Sequence, residues 1–214
     1  MLQRLNYQSN LRQTGFSGSQ AQPDNNVLYN TEFLQLKTAP SPNGKAAWVY
    51  AHRPNSKDVV VIAPIIHEKE GDSIVFLETE RPPIKAEGKA SRCIELPAGL
   101  VGDEKEGESV PDALKKELKE ETGYKADEIS IQAKNIASSP GCVSETSTIA
   151  IADITKSPID KPIDDGGVIK AMHKVPVNKV MDWLKEQSAN GKAISAQACT
   201  GLLFALSRIN GKQD

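Results

Sequence analysis

Three glutamates define the chemistry this chain can attempt. Between Gly102 and Tyr124 it reads GDEKEGESVPDALKKELKEETGY. On a helix, Glu117 and Glu121 lie four apart on one face with Glu120 beside them. Like charges so placed repel by a few tenths of a kcal/mol per pair, and a cation must offset that. Lys116 stands four before Glu120, so an ordinary solvated helix face with lysine partners is one reading. Hard carboxylate oxygens on a rigid element suit Mg²⁺ better, because Mg²⁺ keeps several waters and bridges to substrate phosphate oxygens. The chemistry implied is phosphate-centred.

These side chains need a helix and a sheet to hold them. Ser109 is placed to cap the helix start, Pro111 is tolerated in its first turn, Asp112 stands where a capping-box acid would, and Gly123 ends it. Leu114 and Leu118, four apart, face the core, which leaves Glu121 on an exposed face. Apolar runs and alternation predict strands over 28–36 and 46–52, separated by a Pro-Ser-Pro-Asn-Gly turn, and over 59–66 and 74–78. Residues 93–96 lead into Pro97-Ala98-Gly99 and the acidic helix. Strands over 129–137 and 146–154 follow, then a loop over 157–167 and a strand over 168–175. Val177, Val180, Met181 and Leu184 mark a helix. A last one runs from about Ser195 through Ala198, Leu202, Ala205, Leu206 and Ile209 to Asn210-Gly211. A mixed sheet with helices on both faces is the economical α/β architecture.

Composition bounds the rest. With 214 residues the chain fits one catalytic domain preceded by an extension. Residues 1–26, rich in Gln, Asn, Ser and Gly, read as a flexible arm, 27–56 as an N-terminal β extension, and 57–214 as the catalytic domain. A net charge of −2 gives no basic footprint for a nucleic acid. The longest apolar run, over 59–66, is too short to span a bilayer, and no basic-then-apolar leader opens the chain, so a soluble cytoplasmic protein without a membrane partner is expected. Cys93, Cys142 and Cys199 suggest neither a disulfide framework nor a zinc site and are expected to be buried thiols. His52, His67 and His173 show no ligand or triad spacing.

The spacing of the acidic segment resembles the signature of the Nudix hydrolases. Gly102, Glu108, Glu117, Leu118, Glu120, Glu121, Gly123 and Tyr124 all fall in register, and only the family's arginine departs, being Lys116. Upstream, Glu95-Leu96-Pro97-Ala98-Gly99-Leu100-Val101 resembles the lead-in of the ADP-ribose pyrophosphatase branch, and Glu80-Arg81-Pro82-Pro83 its Arg-Pro-Pro segment. Downstream, Ser139-Pro140-Gly141 and Ser144-Glu145 resemble that branch's loop.

The resemblance implies a Nudix-type α/β/α sandwich with a mixed β-sheet and an N-terminal β extension. It also implies Mg-dependent hydrolysis of ADP-ribose to AMP and ribose 5-phosphate, with Mn²⁺ as a possible substitute ion. In that pattern the Ala98 carbonyl, Glu117 and Glu121 hold the metal, and Glu120 helps to bind further ions. Glu145 orients or deprotonates water, with Asp164 and Asp165 as alternative bases. Arg81 contacts the pyrophosphate or terminal ribose. Phe33 and Trp48 match aromatic positions that sandwich adenine, and core packing is the competing role for each. Lys116 replaces a planar fork with one flexible point charge, which implies slower turnover. The N-terminal region of such enzymes is exchanged between protomers, so a homodimer acting on a small-molecule nucleotide is implied. Other nucleoside diphosphate sugars, dinucleotides, or ADP-ribose binding without cleavage are the alternatives.

Overall fold

The computed structural model describes residues 26–44, 47–102, 107–163 and 168–211. The expected arm, Asn26 apart, and the alternative bases Asp164 and Asp165 lie outside the described residues.

The first sheet is small and antiparallel, with β1 (Val27–Asn30), β2 (Gln35–Pro40) and β3 (Ala47–His52) in that order. The single strand expected over 28–36 is therefore two strands. Thr31 breaks it: its hydroxyl accepts from Leu34 N at 2.8 Å, and Thr31 N donates to Leu34 O at 2.9 Å. A Thr side chain that captures nearby backbone in this way competes with the ladder and turns the chain.

The larger sheet is mixed. Its strands are β4 (Val59–Ile66), β5 (Ser73–Thr79), β6 (Cys93–Glu95), β7 (Ala98–Leu100), β8 (Ala126–Ala137), β9 (Thr146–Ile154), β10 (Ile169–Pro176) and β11 (Ala193–Ile194). The path runs β11-β6-β5-β4-β9-β8, with β10 added on β5 and β7 on β4. β4 lies parallel to β9 over most of its length. Its other edge is shared, by β7 opposite Val59–Val61 and by β5 opposite Ile65 and Ile66.

Every residue of β4 is buried, because helices cover both faces. Val60 and Ile62 pack with Leu114 and Leu118 of α2 (Val110–Thr122). Val61, Ala63 and Ile65 pack with α3 (Val180–Ala189) and α4 (Ala196–Asn210). These two apolar layers make the α/β/α sandwich. Met181, one of the residues that mark this helix in the sequence, is 53% exposed, while Val180 and Leu184 are buried. Sequence periodicity did not show the five-residue α1 (Pro82–Ala86), nor the short β7 and β11, which are too brief to carry a period. Among the described residues no helix is long and apolar enough to cross a membrane.

Candidate active site

Helix α2 is built as its sequence demands. The Ser109 hydroxyl accepts from Asp112 N at 3.3 Å, and Gly123 closes the helix at φ 71°. A Cβ at Gly123 would stand 2.1 Å from the Asp160 carbonyl oxygen, so only glycine fits both the turn and the neighbour. Asp112 does not complete a reciprocal box; its carboxylate accepts a hydrogen bond from the Ser109 hydroxyl instead, at 2.6 Å. With Leu114 and Leu118 fully buried, the helix is fixed in rotation, and Glu117 and Glu121 are turned to β7.

At β7 two of them meet the backbone. Ala98 N donates to Glu121 Oε2 at 2.8 Å. Glu117 occupies the space a side chain at Gly99 would need, since a Cβ there would lie 2.0 Å from its Cδ. Thus Gly99 is a glycine because the Glu117 carboxylate rests against its α-carbon. The exposure expected for Glu121 is overturned: the residue is partly buried, and its carboxyl turns in to the β7 backbone. Burial pushes that carboxyl up to about 8; the Glu117 and Glu95 charges add to the rise, while the Ala98 N–H and Arg81 oppose it.

Lys116 does not pair with Glu120 as its spacing suggested. Its Nζ lies 3.3 Å from Glu117 Oε1 and 3.7 Å from Glu108 Oε1. Glu108 in turn accepts from Gly102 N at 2.9 Å, where φ is +84°. The outer signature residues therefore shape the turn and brace Glu117. Glu120 is partly buried, and its backbone carbonyl accepts from Ile163 N at 2.8 Å.

Arg81 lies at the end of β5, on the same side. Its Nε donates to both oxygens of Glu95, at 2.9 and 3.1 Å, and its Nη2 lies 2.7 Å from Glu95 Oε2. Burial works against the charge on Arg81, but Glu95 outweighs it and raises the guanidinium pKa. Sequence reasoning quoted Glu95 without giving it a task; the pairing is set by strand register, which no local pattern reveals.

A second cluster joins the small sheet to the loop over residues 139–145. Ala51 N donates to Cys142 O at 2.8 Å, Ser144 N donates to Ala51 O at 3.1 Å, and Ala51 bridges Val143. The Trp48 indole N–H donates to Gly141 O at 2.7 Å. Glu145 ends this loop in an ion pair with Arg53, at 2.9 Å. Arg53 carried no sequence signal. Neither aromatic is in the core: Phe33 is 74% exposed and Trp48 50%. Of the cysteines, Cys93 is buried as expected, while Cys142 and Cys199 are exposed. His52 and His67 make hydrogen bonds or ion pairs with Ser144, Asp72 and Asp153, and His173 pairs with Glu78.

A divalent cation fits the first cluster on its donor chemistry. Among the described residues no three His, Cys, Asp or Glu side chains form a closed cage. Two carboxylates set against a backbone segment are nonetheless the oxygen donors Mg²⁺ accepts while keeping its waters.

An acidic helix packed over a mixed sheet, with two of its carboxylates set against a strand backbone, is the arrangement this α/β sandwich presents for chemistry. Residues 56–196 match the NUDIX domain, and the chain belongs to this family; it is a Nudix pyrophosphohydrolase. Nudix hydrolases as a family use divalent metal ions. The chain is 30% identical over 187 residues to the ADP-ribose pyrophosphatase of Saccharomyces cerevisiae, covering 80% of this chain and 77% of that protein. It is 28% identical to the ADP-sugar pyrophosphatase of Mus musculus, covering 71% and 70%. A crystal structure of an ADP compounds hydrolase has the same fold, with a TM-score of 0.63 at 21% identity, over 87% of this chain and 91% of that one.

Proposed function

We propose that this protein hydrolyses the diphosphate of ADP-ribose to AMP and ribose 5-phosphate. The observation that carries the reading is the buried Glu121 carboxyl against Ala98, with Glu117 seated on Gly99. The names of the yeast and mouse relatives supply the substrate class. Mg²⁺ is the proposed ion, held by Glu117, Glu121 and the Ala98 carbonyl, with Glu120 serving further ions. When bound, it neutralises diphosphate charge and polarises the reacting phosphorus.

The protein's own groups do the rest. Arg81 receives a phosphate or terminal ribose through its planar fork. Trp48 and Phe33 offer exposed aromatic faces to adenine, and the Trp48 N–H bond to Gly141 fixes one of those rings. Glu145 takes a proton from water as the water oxygen bonds to phosphorus and the bridging P–O bond breaks. Arg53 pairs with that carboxylate at 2.9 Å and orients it. Asp164 and Asp165 remain the competing bases. Leu28, Tyr29, Phe33, Leu34 and Val49 leave an apolar surface on the small sheet, which supports a homodimer built through the 27–56 extension. The mouse relative's broader name favours one second reading, in which another ADP-sugar such as ADP-glucose is preferred.

The deciding experiment follows AMP release from ADP-ribose, ADP-glucose and a diadenosine polyphosphate, with Mg²⁺ and with chelator. Chelator-sensitive cleavage fastest on ADP-ribose supports the proposal. Preference for ADP-glucose moves the substrate. ADP-ribose binding without any AMP makes the chain a binding module.

A further inference from the structure

We propose that Glu95 is a positioning residue for substrate recognition: it aims the Arg81 guanidinium at the diphosphate of a nucleoside diphosphate sugar and keeps it off the catalytic carboxylates. The inference rests on the activity proposed above and concerns how the same site recognises its substrate.

Strand register puts the pieces together. β5 and β6 pair Leu77 with Glu95 and Thr79 with Cys93. Side chains opposite each other, and two apart along a strand, share a face. Leu77, Thr79 and Glu95 therefore point to one side of the sheet. Val75, two before Leu77, packs with Leu114 and Leu118, so that side is the one covered by α2. Arg81 follows Thr79 by two residues and emerges at the strand end, next to the helix that carries Glu117 and Glu121.

Its backbone is held as well. Pro82 and Pro83 follow directly, and a residue before proline is confined to extended conformations; Arg81 is extended at φ −103°, ψ 104°. The side chain is then locked by Glu95, which takes the Nε–H and one Nη2–H in the fork described above. Thr79 Oγ1 donates to Glu95 Oε2 at 2.8 Å and fixes that carboxylate in turn. A guanidinium has five N–H donors. With two committed to Glu95, the Nη1 amino group and the second Nη2–H form the outward edge. That edge is the fork a diphosphate oxygen pair can accept.

The same bond protects the metal site. Arg81 is within electrostatic reach of Glu121. An arginine freed from Glu95 would find Glu121 as a partner and occupy the carboxylate that a divalent cation needs. Glu95 supplies a permanent counter-charge, so Arg81 acts through directed hydrogen bonds rather than as a loose positive charge.

The test is a double-mutant cycle in the full chain with Glu95→Gln, Arg81→Ala and both, each checked by circular dichroism and thermal melting. ADP-ribose and adenosine binding are measured by calorimetry in EDTA, where no turnover occurs; KM and kcat for ADP-ribose are then taken with Mg²⁺. Glu95→Gln is expected to weaken ADP-ribose about 10-fold and raise KM more than it lowers kcat. Adenosine binding should stay within about twofold, and no further loss should appear in the Arg81→Ala background. Losses that add in the double variant, an equal loss for adenosine, or unchanged ADP-ribose binding each overturn the proposal. Should Glu95→Gln fail to fold, Thr79→Val removes the hydroxyl that fixes Glu95 and is read by the same criteria, at a smaller effect. A wild-type chain that neither binds nor cleaves ADP-ribose overturns the substrate reading and this inference together. Normal wild-type binding with additive losses overturns this inference alone.

Discussion

Where β4 and β9 end, His67 lies between two acids, with Nδ1 2.8 Å from Asp72 and Nε2 3.1 Å from Asp153, and Arg208 from α4 also binds Asp153. Beside β7, near the start of β4, Glu117 and Glu121 lie together with Glu95 close by, yet Arg81 is taken by Glu95 and Lys116 is shared between Glu108 and Glu117. One end of the sheet meets its carboxylates with fixed cations from neighbouring elements. The other leaves Glu121 with a backbone N–H as its hydrogen-bond donor and a pKa near 8. The fold can neutralise acids where it closes a structure; leaving a buried one uncompensated costs stability, which the cation proposed for this site would recover on binding.

The largest test of this contrast is Glu121→Gln. It should lower turnover by more than about 100-fold, the cost of disturbing groups that hold a metal, while the folded state survives because no fixed ion pair is broken. A pH series of melts in chelator adds a sign. The folded carboxyl holds its proton up to about 8, against an ordinary value of 4.5, so the folded state binds more protons across that window and its stability falls as pH rises through it. Adding a divalent cation should abolish the decline, and the Gln variant should lack it. A wild-type protein whose pH-dependent melting ignores the cation would remove Glu121 from the metal site.

Gly99→Ala comes next. The new methyl collides with the end of a flexible side chain, so the Glu117 carboxylate must move while the backbone stays. Activity should fall about 10- to 100-fold with little change in melting temperature. Full activity would show that Glu117 works from some other position.

These two residues also show what the sequence could and could not say. Ser109, Gly123, Leu114 and Leu118 announced α2, and the apolar runs over 59–66 and 146–154 matched β4 and β9, because each signal is local in the chain. The contact of Glu117 with Gly99, the burial of Glu121 and the pairing of Arg81 with Glu95 join residues 14 to 23 apart through helix-on-sheet packing and strand register, and no periodicity encodes them. Arg53 and Glu145 are farther apart still. The i,i+4 spacing of Lys116 to Glu120 offered a pairing that does not form, since the side chain lies by Glu117 and Glu108 instead.

Lys116 gives a smaller, two-sided prediction. Lys116→Arg, which can engage Glu117 and Glu108 through two N–H groups at once, should raise kcat, and Lys116→Ala should lower it about 10-fold. Equal rates for all three would mean that Glu117 needs no brace.

The smallest effect belongs to the other end. Burial disfavours a charged His67, but hydrogen bonds and charge from Asp72 and Asp153 outweigh it and raise its pKa above 6.5. The sign follows: a histidine held charged in the folded state contributes stability that is fully present below 6.5 and is lost as pH rises through the folded value. With 42% of its side chain exposed, solvent screening limits the contribution to less than about 1 kcal/mol. His67→Gln should therefore lower the melting temperature at pH 6, leave it unchanged at pH 9, and leave ADP-ribose turnover and its metal dependence untouched at both. Added divalent cation should not alter this pH effect, whereas it should abolish the one at Glu121. If the cation flattened both, the two ends would share one titrating system and the contrast between a closed ion-pair network and an open metal site would fail.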